Sequence, residues 1–366
     1  MLIILQKKEF AEVVHTAGRF AQRGSATLPA LSSILIVAGD DGIKLRATNL
    51  EVGVDLKVAG EIKTPGVVAL PSALLQQVAS ALQGTGSVTL ERTGDTVVLS
   101  SGTARGVLKT VPYEDFPTIP FPEAPKVTFS LPGTLLRTAL NAVVSCASTS
   151  SIRPELASVM LTSEGGTLVT AATDSFRLAE KRTSLPGSTP AFTLLIPAKN
   201  AVDIIQTIPD EVITLTIDDH QCAIGWGGSL VITRLVSGTY PDYRQIIPKT
   251  FPAEATVLRR DLEAALKRTT IFSDSFQKVR IAFDTEKKQV VLQARNSDVG
   301  ESSETIPGSL SGESVELSFN HRYLQSAVSL SSAESVVLSA GGVGRPLVVR
   351  GVGDTSFLYL VMPMNQ

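Results

Sequence analysis

Side chains that could do covalent or metal chemistry are few and scattered in this 366-residue chain. The three histidines, His15, His220 and His321, fall one in each third. They form no His-x-x-x-His pair, and Cys146 and Cys222 form no Cys-x-x-Cys pair, so no metal site is expected. No Gly-x-Ser-x-Gly nucleophile elbow occurs. The run Gly341-Gly342-Val343-Gly344-Arg345 lacks the Lys-Ser/Thr of a phosphate loop and reads as a hairpin turn. Thr173-Asp174 could seem catalytic, but its echo at Thr48-Asn49 marks a repeated strand end. These observations argue against a hydrolase or metalloenzyme, and no cofactor is expected.

What remains is recognition. Arg259, Arg260, Lys267 and Arg268 share one helical stretch with Asp261 and Glu263, and Lys7, Lys8, Arg19 and Arg23 share another. Arg137, Lys199 and Arg322 add one cation each. Such charges attract phosphate without reading bases. An ordinary solvated helix face has the same composition, so charge alone does not choose between the two. The net charge of −2 argues against a simple basic DNA-binding domain, though it allows one positive and one negative face. The apolar start Met1–Leu5 meets Lys7-Lys8-Glu9 at once, which is too short and wrongly charged for a signal peptide. With no run approaching a membrane span and only two cysteines, a cytoplasmic protein is expected, not a cell-surface scaffold.

The elements that carry these residues repeat. Hydrophobic residues make up 43% of the chain and aromatics only 5%, with Trp226 alone of its kind, so cores must rest on Leu, Ile, Val and Ala. Helical periodicity marks Leu5–Phe20, Leu131–Ala147 and Leu258–Phe272, with Phe10, Leu136 and Leu262 each 126 residues apart. Val13/Val14, Ala139/Leu140 and Ala265/Leu266 continue each apolar face. Three hairpins follow, ending alike at Ala47-Thr48-Asn49, Ala172-Thr173-Asp174 and Ala294-Arg295-Asn296. Short strands then run into Pro71-Ser72, Pro197-Ala198 and Asn320-His321, where Pro in a first turn or an Asn cap predicts a second helix. Linkers fall at Phe121–Lys126 and Ile247–Pro252. The expected organisation is α+β: three repeated domains of antiparallel sheet with two helices each, at 1–122, 123–249 and 250–366. Three such units with complementary ends can close head to tail into a ring whose helices line a pore.

Four motifs carry a family resemblance. Ala172-Thr173-Asp174-Ser175-Phe176-Arg177-Leu178-Ala179 resembles Ala-Thr-Asp-Gly-His-Arg-Leu-Ala, and Gly238–Arg244 resembles Gly-x-Phe/Tyr-Pro-Asp-Tyr-Arg. Thr27–Leu31 resembles Thr-Leu-Pro-Ile-Leu, and Val361-Met362-Pro363-Met364 is similar to the family's ending. Together they resemble the bacterial replicative sliding clamp, the β subunit of DNA polymerase III. The resemblance implies the DNA clamp fold and a non-catalytic processivity factor. It implies a homodimer closed around duplex DNA without sequence preference. Implied partners are the polymerase III α subunit, an ATP-driven clamp loader, and other polymerases and repair proteins bearing short linear motifs.

By position, the resemblance implies a partner-peptide cleft of Leu156, Thr173, Ser175, Phe176, Arg177, Leu178, Pro241, Ile246, Asn320, Tyr323, Leu360, Met362, Pro363 and Met364. An apolar pocket with methionines suits several peptides. Phe176 stands where the family often has His, Gln245 replaces a frequent Arg, and Asn365-Gln366 replaces Arg-Leu. The resemblance further implies a dimer contact at Leu108, Ile271 and Phe272, with Gly106 in place of a large aromatic. Its DNA-facing positions fall at Arg23, Arg137, Arg153 and Lys199.

Overall fold

Each helix forms where apolar residues recur at helical spacing, and each buries that stripe. In the computed structural model, which describes residues 1–22, 28–82, 84–122, 124–187 and 189–364, these helices are α1 (Lys7–Phe20), α2 (Ser72–Ala81), α3 (Gly133–Val143), α4 (Ala198–Ile205), α5 (Arg259–Thr269) and α6 (His321–Leu330). Phe10, Val14 and Ala17 are the buried stripe of α1, and Leu262, Ala265 and Leu266 that of α5. Leu136, Ala139, Leu140 and Val143 are buried on α3. Asn320 caps α6 by accepting from the Arg322 N–H at 2.9 Å. Pro71 and Pro197 do not sit in a first helical turn. They end the preceding strands, opposite Ser33 and Ser158, and the helix begins one residue later. Proline suits this place because the ladder there needs no N–H from it. Similarly the apolar start is a strand, Leu2–Gln6, so the first helix starts at Lys7. Among the described residues no helix is long and apolar enough to cross a membrane.

The chain forms two compact units, one of residues 1–137 with 199–236 and one of residues 138–198 with 237–366. All named strand pairs are antiparallel. In the first unit a five-stranded sheet runs in the order Gly60–Thr64, Leu2–Gln6, Ser87–Thr93, Thr96–Ser101, Ala104–Lys109. Its eight-stranded sheet joins Val127–Pro132, Val212–Ile217, Gln221–Trp226 and Ser229–Arg234 to Val52–Val58, Gly42–Thr48, Ser33–Gly39 and Gly66–Pro71. In the second unit a nine-stranded sheet joins Phe192–Pro197, Ser158–Glu164, Thr167–Thr173 and Arg177–Ser184 to Phe357–Val361, Leu347–Gly351, Ser335–Ala340, Ala253–Leu258 and Ser309–Gly312. A four-stranded sheet holds Gly300–Pro307, Gln289–Asn296, Lys278–Asp284 and Val315–Asn320.

The larger sheet of each unit contains one joint of the same construction. The last strand of one repeat lies on the fourth strand of the repeat before it. In the first unit Thr233 is opposite Val52 and Leu230 opposite Asp55. In the second unit Val361 is opposite Arg177 and Leu358 opposite Glu180. Each ladder is prolonged by one bond, Arg234 N–H to Glu51 O at 2.9 Å and Met362 N–H to Phe176 O at 2.8 Å. The strands that correspond to the two halves of this joint elsewhere are edges: Ala104–Lys109 ends the five-stranded sheet, and Gly300–Pro307 ends the four-stranded one.

Candidate functional site

The hairpin turn after Thr173 organises the site in the second unit. Ser175 adopts a φ of 77°, a left-handed conformation that costs energy outside glycine. Side chains hold it there. Thr173 Oγ1 accepts the Ser175 N–H at 3.1 Å and donates to Arg177 O at 2.7 Å. Asp174 Oδ1 accepts the N–H groups of Phe176 at 2.9 Å and Arg177 at 3.0 Å. Asp174 Oδ2 accepts from Arg177 Nε at 3.0 Å. The Arg177 guanidinium then lies 4.6 Å from the centre of the Tyr323 ring, a cation–π distance.

Four further contacts gather the expected cleft residues. Met362 is tied to Phe176 through the joint, and the Met364 N–H donates to Ser318 O at 2.8 Å. The Tyr240 hydroxyl accepts the Thr173 N–H at 2.9 Å. Tyr243 opens the short 3-10 turn Tyr243–Ile246, and its hydroxyl donates to the buried Glu180 carboxylate. Pro241 and Ile246 are thus carried on a segment anchored to the same sheet. Exposure divides the set. Phe176 is 62% and Ile246 45% exposed, whereas Leu178 and Leu360 are fully buried and Leu156 and Thr173 are 5% exposed. The latter four support the surface rather than form it. Asp174, Tyr240 and Tyr243 lie within the matched motifs but outside the expected cleft set, and are added to it as functional candidates. The echo of Asp174 at Asn49 and Asn296 was the available signal.

The edge residues are placed differently. Ile271 is 68% exposed and Phe272 half-buried, with the Phe272 ring beside Gly300 on the free edge. Leu108 lies on the other free edge but faces inward, 3% exposed and opposite Val97. Val107, 57% exposed, is the apolar residue that faces out. Beside the Gly300–Pro307 edge lies a polar groove with Asp274, Asp298 and Glu301 among its walls.

Of the four DNA-facing candidates, Arg23 lies outside the described residues. Arg137 is bound to Asp210 at 2.6 Å and to Ile208 O at 2.6 Å, and Arg153 pairs with Glu155 at 3.0 Å. Lys199 is exposed near the start of α4. On α5, Arg259 and Lys267 both face Glu263, at 3.5 and 3.0 Å. Many of the helix cations therefore have local carboxylate partners, which weakens any phosphate attraction.

Both thiols are buried at 0% exposure. Burial pushes Cys146 up to about 11 and Cys222 up to about 12, so each is a neutral thiol near pH 7. Titration with a chromogenic disulfide reagent is expected to find no reactive thiol in the native protein and two in denaturant. A fast-reacting native thiol would contradict this packing. Among the described residues no group of three or more His, Cys, Asp or Glu is placed to hold a metal.

Comparison with known proteins agrees with this architecture throughout. The DNA polymerase III beta subunit family is matched by its N-terminal domain at residues 1–120, its central domain at 130–242 and its C-terminal domain at 244–365. The beta sliding clamp of Synechococcus elongatus is 29% identical over 346 residues, covering 92% of each chain. The crystal structure of the Thermotoga maritima DNA polymerase III beta subunit superposes with a TM-score of 0.92 at 22% identity, covering all of both chains. A Pseudomonas aeruginosa sliding clamp bound to griselimycin superposes with a TM-score of 0.91 at 23% identity, again over the full length of both. With all three family domains in order along one chain, the protein belongs to the DNA polymerase III beta subunit family, the sliding clamps, whose role is processivity rather than catalysis.

Proposed function

We propose that the protein is a homodimeric ring that encircles duplex DNA in the cytoplasm and tethers the replicative polymerase and other replication or repair proteins to it. The domains of the ring are residues 1–122, 123–249 and 250–366. The observation that carries this reading is the repeated joint with its two unmatched halves. A second copy can supply the missing half at each edge, and a head-to-tail contact of that kind closes when it is made twice.

The joint's register makes the contact specific. Carrying it over by the hairpin equivalences puts Leu108 opposite Gly300, Gly106 opposite Ser302 and Arg105 opposite Ser303 of a second copy. Faces then agree, since Leu108 and Ile306 are both core-side. On the outer face Arg105 and Lys109 meet an edge carrying Glu301, a complementary pairing. Gly106 has open space where a Cβ would stand. The test is a Gly106→Cys, Ser302→Cys protein under mild oxidation, because directly opposed strand residues have Cβ atoms about 4.5–5.5 Å apart, near disulfide range. A covalent dimer on a non-reducing gel is expected, and neither single variant should give one. Failure of the double variant to cross-link at concentrations where the protein is dimeric would refute this register.

Partner peptides occupy the surface around Phe176, Ile246, Tyr323 and Met362, and griselimycin, bound by the Pseudomonas relative, binds there too. Arg137, Arg153, Lys199 and Arg23 face DNA but hold it weakly, which permits sliding.

A further inference from the structure

We infer that Asp174 is a positioning residue of the peptide cleft, acting through Arg177 on Tyr323. The inference rests on the cleft reading above and deepens it. The internal repeats supply the comparison. In the first repeat the same turn is built with Asn49, whose Oδ1 accepts the N–H groups of Glu51 and Val52, both at 2.9 Å. Thr48 plays the part of Thr173, accepting the Leu50 N–H at 3.1 Å and donating to Val52 O at 3.0 Å. Leu50 has a φ of 74°, matching the 77° of Ser175. A neutral amide therefore makes this turn unaided. In the third repeat the position is again a neutral Asn296, which accepts the Asp298 N–H at 2.9 Å.

Only the second repeat carries a carboxylate, and only there does an arginine follow three residues later. In the first repeat that place is Val52. The charge on Asp174 is thus surplus to the turn. Its second oxygen is spent on Arg177 Nε, with the two side chains only 14% and 16% exposed. An ion pair so far out of water needs its geometry kept. Asp174 holds the guanidinium in place, with its central carbon over the Tyr323 ring, 4.6 Å from the centroid. The carboxylate therefore sets the orientation of an aromatic wall that it does not itself form.

The test measures griselimycin affinity by calorimetry on the intact dimer. Asp174→Asn keeps the backbone bonds that Asn49 makes, so the fold and the dimer should persist, with thermal unfolding lowered only by the loss of the ion pair. Affinity should fall about 5- to 20-fold, the range of a lost charge-assisted bond and stacking contact. On a Tyr323→Ala background the same substitution should cost nothing further, whereas a merely structural role would add its full effect. Asn49→Asp, which adds a carboxylate with no arginine to hold, should leave affinity at the wild-type value. Unchanged affinity in Asp174→Asn, or full additivity with Tyr323→Ala, overturns the inference while leaving the cleft in place. Failure of the wild-type protein to bind the probe overturns the cleft, and this proposal with it.

Discussion

Loaded onto a nicked circular duplex, the protein is expected to survive a moderate-salt wash and to leave once the circle is cut. A groove binder holds DNA by displacing counterions, so its affinity falls steeply as salt rises. This chain has a net charge of −2, and two of its candidate DNA contacts, Arg137 and Arg153, already face carboxylates. Direct attraction to phosphate is therefore weak, and binding to linear DNA should be weak and indifferent to sequence. A closed ring needs no strong contact, because the duplex cannot leave sideways. One cut gives it free ends to slide from. The measurement is protein retained on bead-bound circles before and after a single restriction cut. Equal retention in both states would remove the topological mechanism and leave an ordinary binding scaffold.

The second large effect is on assembly. Ile271→Ala with Phe272→Ala should turn the dimer into monomers at micromolar concentration. Ile271 is 68% exposed in the single chain, so its replacement there costs little folding stability. Burying a large apolar side chain stabilises a contact by about 1.5–3 kcal/mol, and less for the already half-buried Phe272. A head-to-tail dimer makes each contact twice. A combined loss of roughly 4 kcal/mol or more weakens association by on the order of 10³-fold. Sedimentation equilibrium of the two proteins reads this directly. An unchanged association constant would show that the contact lies elsewhere.

Local features of the fold were legible in the sequence and long-range ones were not. Periodicity located the buried stripes of α1, α3 and α5 because a single helix face writes itself at i, i+3 and i+4. The turns after Thr48 and Thr173 were legible because their side chains bond within four residues. Pairing of Ser229–Arg234 with Val52–Val58 left no such mark, since the paired strands lie far apart in the chain and either could have met another edge. Leu108 shows the same limit within one strand. In Arg105-Gly106-Val107-Leu108-Lys109 two apolar residues adjoin, so alternation alone cannot say which faces in. The neighbouring strand decides it, by setting Leu108 against Val97 in the core. The expected cleft residues come from motif positions, and Asp174 is not among them because its echo at Asn49 reads as a repeated strand end.

The repeated joint has a kinetic consequence. Within a chain, the two strands of each joint are tethered by the polypeptide itself, so a broken ladder faces its partner at an effective concentration set by the linker rather than by the solution. Such a joint re-forms almost as soon as it opens. The edge strands Ala104–Lys109 and Gly300–Pro307 have no tether between copies, and at Gly106 no side chain adds to the ladder. Identical hydrogen-bond architecture would then have two very different lifetimes. In the proposed ring the two untethered seams would then be where the assembly comes apart, and a loader that prises it open would find either of them by its shorter lifetime, without a recognition code to mark it.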